Sequence, residues 1–204
     1  FCIKKKTKLI HISSTSVYGK QHKIVNEDDD SMVEPQSPYA EIKLIEEKIL
    51  KKNKKKIRFM SFRFGTIAGV SPGMRFHTAI NKFCFNVALN QSIKVYKTAY
   101  NQYRPYLSIK DAFKIFEFCI VKNVFKNDIF NALSENLTVK QVVAMIKKYK
   151  KNIKIEYINS PIMNQLSYHV DKTKLNNLGL KLNSNIQKDI KETLKLFVFK
   201  NNEV

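Results

Sequence analysis

Short apolar runs alternate with helix-period segments along almost the whole chain, and that alternation restricts the fold more than any other feature. Leu9 to Ile12 is a buried-strand candidate, followed by a polar turn from Ser13 to Gly19. Gln21 to Gln36 is acidic and irregular and reads as an exposed loop. Ser37 can cap a helix whose first position is Pro38, where a missing N–H costs nothing, and this helix is expected to run to about Lys52. Ile57 to Phe64 reads as a strand, and Gly65, Gly69, Pro72 and Gly73 then mark a loop. A helix over Phe76 to Leu89 and strands at Ile93–Tyr96 and Tyr106–Ile109 come next. Asp111 to Val121 reads as a helix and Asp128 to Leu133 as a strand. A capping-box pattern at Thr138–Gln141 opens a helix to about Tyr149. The chain closes with a strand over Ile153–Ile158 and helices near Lys172–Leu178 and Ile186–Phe199. Strands alternating with helices predict an α/β protein with a parallel sheet.

At 204 residues the chain can bury one domain, or one domain and a small lobe, and its 14 Phe can fill a core. It opens on Phe1 close to the first strand, so we expect an N-terminal part to precede it. No apolar run reaches the roughly 18 residues a membrane helix needs, and no membrane partner is expected. The three cysteines, Cys2, Cys84 and Cys119, are scattered and show neither a disulfide framework nor a metal-ligand spacing, which suits a reducing cytoplasm. The net charge of +20 is nearly all Lys and spreads along the chain. The dense runs at Lys51–Lys56 and Lys147–Lys151 sit where helices end and complement their dipoles, so nucleic acid is not the expected partner.

One pair of side chains carries chemistry. Tyr39 and Lys43 are four apart, which on a helix sets them one turn apart on one face. An ammonium beside a phenol favours the phenolate, and a tyrosine so placed can pass a proton to or from a substrate hydroxyl. A nearby serine hydroxyl could hold that substrate oxygen. Ile42, Ile45 and Ile49 form an apolar stripe beside this face. His11, His22, His77 and His169 have no mutual spacing for a metal or a triad, and His11 is expected to pack in or beside its strand.

Six segments, in order, resemble the NAD-dependent nucleotide-sugar epimerase/dehydratase family of extended short-chain dehydrogenases/reductases. They are His11-Ile12-Ser13-Ser14-Thr15-Ser16-Val17-Tyr18-Gly19, Pro35 to Lys43 with its Tyr-x-x-x-Lys, and Arg63-Phe64-Gly65-Thr66-Ile67-Ala68-Gly69. Gln102 to Asp111 around Arg104, Asp128 to Leu133 with Thr138, and Asp171 to Gly179 complete the set. The resemblance implies a partial Rossmann-type parallel sheet whose first strands precede Phe1, with a small C-terminal α/β substrate-binding lobe. The Rossmann part would be mainly residues 1–70 and 100–135, and the lobe mainly 71–99 and 136–204, interleaved. It implies a catalytic set of Ser14, Tyr39 and Lys43. Ser13, Tyr39, Lys43, Phe64, Gly65 and Ile67 would line NAD, or NADP. Ser14, Thr66, Arg75 and Arg104 would meet a nucleotide-diphosphate sugar, with Arg104 on the diphosphate, and no metal is called for. The full-length protein would be a homodimer.

Departures from the family pattern sharpen the reading. The Gly-rich phosphate loop and the acidic ribose-binding residue would lie before Phe1, so the 204 residues alone are expected to be inactive. Thr66 stands where the family has Asn, Ile42 replaces a small hydroxyl residue, and Pro105 replaces an Asp. Thr15 and Ser16 occupy positions that carry an acid in the dehydratases and related decarboxylases, so neither dehydration nor decarboxylation fits. The expected activity is an epimerase that oxidises C4 transiently, with a 4-keto-sugar reductase or a non-catalytic basic binding fragment as alternatives.

Overall fold

Six consecutive buried residues, Phe59-Met60-Ser61-Phe62-Arg63-Phe64, form the strand on which the rest is assembled. Their chemistry alternates because the strand has two different faces, and burial is continuous because both faces are covered. The computed structural model describes residues 1–19, 24–159 and 168–197. In chain order its helices are α1 (Cys2–Lys5), α2 (Pro38–Lys52), α3 (Ala79–Ala88), α4 (Ile109–Val121), α5 (Val139–Lys147), α6 (Thr173–Asn177) and α7 (Ile186–Phe197). Its strands are β1 (Leu9–Ser14), β2 (Ile24–Val25), β3 (Phe59–Phe64), β4 (Thr66–Ala68), β5 (Ile93–Tyr96), β6 (Tyr103–Ser108), β7 (Asp128–Ala132), β8 (Glu135–Thr138), β9 (Ile155–Ile158) and β10 (His169–Val170).

β1, β3 and β7 form a parallel sheet in that order, in a register that aligns Ser14 with Phe64 and Phe64 with Ala132. The carboxyl ends of all three strands therefore lie level. On one face Met60, Phe62 and Phe64 pack with Ile115 and Phe118 of α4, Phe130 of β7 and Leu175 of α6. On the other face Ser61 and Arg63 meet β1 and α2 through hydrogen bonds and an ion pair. A second core gathers α3, α5 and α7 around β5, with Ile80, Phe83, Val87, Val142, Ile146 and Ile190 fully or almost fully buried.

The expected α/β architecture with a parallel sheet is what the chain adopts, and several local expectations need correction. The stretch from Gly65 to Gly73 is not all loop: β4 pairs in parallel with β6. Gly65 makes this possible, since a Cβ there would lie 2.8 Å from the Pro105 carbonyl oxygen. The acidic stretch after Gln21 is not simply exposed either. Val25 and Glu27 are buried, and β2 pairs with β10. Glu27 goes inside because its carboxylate accepts from the Asn131 backbone N–H at 2.9 Å and from Asn131 Nδ2 at 2.8 Å. Residues 21–23 of that loop, with His22, and 198–199 of the last helix lie outside the described residues. The α2 bounds and the Thr138–Gln141 capping box match the sequence reading. β2, β4, β8, β10 and α1 are additions to it.

Glu47 and Arg63 fix α2 on the sheet. Arg63 Nε and Nη2 donate to the two Glu47 carboxylate oxygens at 2.9 and 2.7 Å, both residues are 1% exposed, and the Ser13 hydroxyl donates to the same carboxylate at 2.5 Å. Removing one partner of such a pair leaves an uncompensated buried charge and costs about 3–5 kcal/mol. Glu47→Ala in the intact protein should lose that much in urea unfolding, and Arg63→Met added to it should recover a large part. A single-variant loss under about 1 kcal/mol, the worth of an exposed pair, would contradict the assignment.

Candidate active site

The carboxyl end of the parallel sheet holds most of the predicted site residues. Ser14 is the last residue of β1 and caps the short 3-10 turn Thr15–Tyr18, its hydroxyl accepting from the Ser16 N–H at 3.2 Å. Ser37 Oγ accepts from the Ala40 N–H at 3.2 Å and starts α2, which puts Tyr39 in the first helical turn. α2 packs against β1 and against the 3-10 turn, so Tyr39 and Ser14 come to the same end of the molecule. Tyr39 is 57% exposed, and the Lys43 ammonium lies over its ring, 5.9 Å from the centroid. Across the sheet from Ser14, Phe64 ends β3 and leads through Gly65 to Thr66 and Ile67 of β4. Ser13 is buried with its hydroxyl on Glu47.

Arg104 lies on β6, the strand that pairs with β4. Its Nη2 donates to Gln102 Oε1 at 3.3 Å, while Nη1 is buried with no partner among the described residues. Desolvation pushes its pKa below the ordinary arginine value, against the opposing influence of Tyr168 and Tyr106. No carboxylate among the described residues forms an ion pair with it. A half-buried guanidinium without a counter-charge suits an anionic ligand. Tyr168 joins this strand to the serine-rich turn: its hydroxyl donates to Thr15 Oγ1 at 3.4 Å, and Thr15 in turn donates to the Phe64 carbonyl at 3.3 Å. Arg75 is exposed, and among the described residues only its carbonyl is engaged, by Thr78 and Asn81.

Sequence reasoning missed several residues that build the site from behind. Glu46 accepts from Lys43 and bonds His11, and His11 also bonds Ser61. The Lys43–Glu46 spacing of three on one helix was the available signal. Tyr18 stacks on Arg63, with the guanidinium carbon 4.8 Å from the ring centroid, and donates to Asn131 at 2.8 Å. Burial pushes the Tyr18 hydroxyl well above the ordinary tyrosine range, so it stays a donor. Asp111, which ends the Arg104 segment, does not face a ligand. It is fully buried and accepts from Ser134 at 2.7 Å, from the Ser184 hydroxyl and N–H at 2.6 and 2.9 Å, and from Lys114 at 2.8 Å. No group of three His, Cys, Asp or Glu that could hold a metal occurs among the described residues. No helix among them is long and apolar enough to cross a membrane.

Fold and site together define a class: a parallel α/β protein with a Tyr-x-x-x-Lys helix beside a serine turn at the carboxyl end of its sheet. The family model for the NAD dependent epimerase/dehydratase family matches residues 1–132. The chain belongs to that family. It is similar to an ADP-L-glycero-D-manno-heptose-6-epimerase from Brachyspira hyodysenteriae, 27% identical over 167 residues that make up 78% of this chain and 52% of that protein. It is similar to a chloroplastic UDP-sulfoquinovose synthase from Spinacia oleracea, 31% identical over 114 residues, 52% of this chain and 23% of that one. Its fold matches a UDP-glucuronic acid 4-epimerase from Bacillus cereus, solved with UDP-glucuronic acid and NAD, at a TM-score of 0.81 and 22% identity, covering 96% of this chain and 63% of that one. The chain thus spans less than two thirds of each of these three proteins.

The Asp111 cluster gives a pH prediction. Burial alone would raise its pKa, but the bonds from Lys114, Ser134 and Ser184 outweigh burial and hold the carboxyl below the ordinary aspartate value. An acid whose folded pKa is depressed stabilises the fold above its unfolded value, about 4, and loses that contribution as pH falls through the folded value. Between pH 5 and pH 2, in roughly that window, Asp111→Asn should show a shallower loss of stability by denaturant titration than the parent. Equal pH slopes would contradict it.

Proposed function

We propose that the intact protein carrying this chain is an NAD(P)-dependent nucleotide-diphosphate-sugar epimerase that oxidises the sugar transiently at C4. The observation that carries this reading is that α2, which holds Tyr39 and Lys43, packs against β1 and against the 3-10 turn capped by Ser14, at the level carboxyl ends of β1, β3 and β7. Bound NAD, or NADP, supplies the hydride acceptor and donor. Lys43, Gly65, Phe64, Ile67 and Ser13 are the residues at this end that would hold it, and the exposed Tyr39 would lie between it and the sugar.

The chain's own groups handle the proton and the substrate. Tyr39 takes the proton from the C4 hydroxyl and returns it to the same oxygen, on whichever face the hydride comes back. The Lys43 ammonium supports loss of the phenolic proton, and Ser14 donates a hydrogen bond to the sugar oxygen. Arg104 answers the diphosphate with its unpartnered Nη1. Thr66, next in line after Gly65, and Arg75 are offered to the sugar and nucleotide ends. Thr15 and Ser16 bring no carboxylate to the serine turn, which favours epimerisation over dehydration.

The exposed stripe of Ile42, Ile45 and Ile49 on α2 supports homodimerisation through this helix. The free Cys2, Cys84 and Cys119 fit a cytoplasmic setting. The 204 residues alone are proposed to be inactive. β1 pairs only with β3 among the described strands and leaves its other edge open.

Tyr39→Phe in the intact protein should lower kcat by about 10²–10⁴-fold while nucleotide-sugar binding, read by calorimetry, is kept. Unchanged turnover would sink the assignment. Arg104→Met should instead weaken nucleotide-sugar binding by about 10–100-fold, the worth of a charge-assisted hydrogen bond, with a smaller effect on kcat. A binding constant that does not move would remove Arg104 from the site.

A further inference from the structure

One carboxylate behind the tyrosine–lysine turn is engaged in a way the activity does not require. Glu46 Oε2 accepts from the Lys43 ammonium at 2.9 Å and sits 3.0 Å from His11 Nε2. His11 is fixed from its other side, with Nδ1 2.8 Å from the Ser61 hydroxyl. The side chains of His11 and Lys43 are 15% and 20% exposed, and that of Glu46 is 39% exposed. With Ser61, the three groups form a line running from β3, through His11 of β1 and Glu46, to the lysine that lies over the Tyr39 ring. The bonds from Lys43, then from His11, hold the Glu46 carboxyl below the ordinary glutamate value, so it carries its charge at neutral pH.

Resting on the reading of Tyr39 and Lys43 given above, we propose that Glu46 is a positioning residue. Anchored by His11, it holds the Lys43 ammonium and sets how much of that positive charge reaches the Tyr39 phenol. The physical reason is direct. A carboxylate against the ammonium partly cancels its field, and the cancellation is felt one helical turn away, where the phenol stands. The other charges packed near Glu46 do not compete for it. Glu47, its neighbour on α2, is committed to Arg63 of β3 in a buried bidentate pair. From β1 the group facing it is His11, and Ser61 of β3 is uncharged and engaged with His11. The role belongs to Glu46 by contact: the same oxygen serves the lysine and the histidine. Glu46 touches neither the tyrosine hydroxyl nor any group assigned to substrate, and it acts only through Lys43.

The test reads the phenol itself. In the intact protein with NAD added, the near-ultraviolet phenolate absorbance is titrated against pH, and the Tyr39→Phe signal is subtracted to isolate Tyr39. Glu46→Gln keeps the shape and removes the charge. Its Tyr39 midpoint should fall by about half a pH unit, a roughly threefold change in phenolate fraction below the midpoint. Glu46→Ala should move it in the same direction. A purely structural glutamate would change the melting temperature and leave the midpoint where it is. Midpoints of both variants within error of the parent, with Tyr39→Phe inactive in turnover, would overturn the role of Glu46 and leave the proposed function standing. A Tyr39→Phe protein that turns over normally would overturn both.

Discussion

The Glu47 carboxylate receives three donors inside the molecule, two from the Arg63 guanidinium and one from the Ser13 hydroxyl. Three elements meet there: α2 through Glu47, β3 through Arg63 and β1 through Ser13. Tyr18 covers the guanidinium and passes the contact on to Asn131 of β7, whose side chain also holds Glu27 of the loop before α2 and the Asp171 carbonyl ahead of α6. A charge buried this deeply is tolerable only while every partner is present. The network therefore fixes the rotation and height of α2 on the sheet. The first turn of that helix carries Tyr39, so the position of its phenol follows from an ion pair more than one helical turn away.

The two faces of β3 divide the labour. Met60, Phe62 and Phe64 make an apolar face against α4, where close packing does the work. Ser61 and Arg63 make a polar face that holds β1 and α2 in register. A strand with both faces covered and its neighbours in parallel register presents one level rim at its carboxyl end, and ligands of open parallel sheets bind there. Asp111 performs a similar office further along. Its carboxylate holds Ser134 after β7 and Ser184 before α7, and thereby fixes the start of α4 just after the β6 strand that carries Arg104.

Much of this was legible in the residues, and the reasons differ by element. Ser37-Pro38 specifies a helix start by hydrogen bonding and fixed geometry, and α2 begins where it says. Thr138 and Gln141 do the same for α5. β4 and β8 were not legible, since each is held by β6, a partner distant in sequence, and carries little pattern of its own. Glu27 reads as loop because its acidic neighbours do, and only the Asn131 amide explains why it is inside. The Tyr39–Lys43 pair follows from spacing along one helix. Arg104 lies on β6, the strand that pairs with β4. Asp111 and Arg63 were visible within family-like segments, but the buried bonds that make them structural arise only on folding.

The central claim is that Tyr39, Lys43 and Ser14 serve a hydride-coupled proton transfer at C4 of a nucleotide-linked sugar. Its most direct test follows an isotope at that carbon. The intact protein, with NAD, is given a panel of nucleotide-diphosphate hexoses deuterated at C4, and products are read by mass spectrometry and NMR. The account predicts an epimerised sugar that keeps the deuterium at C4, because the hydride leaves and returns to the same carbon while Tyr39 moves only the hydroxyl proton. Deuterium washed out to solvent during epimerisation would contradict it.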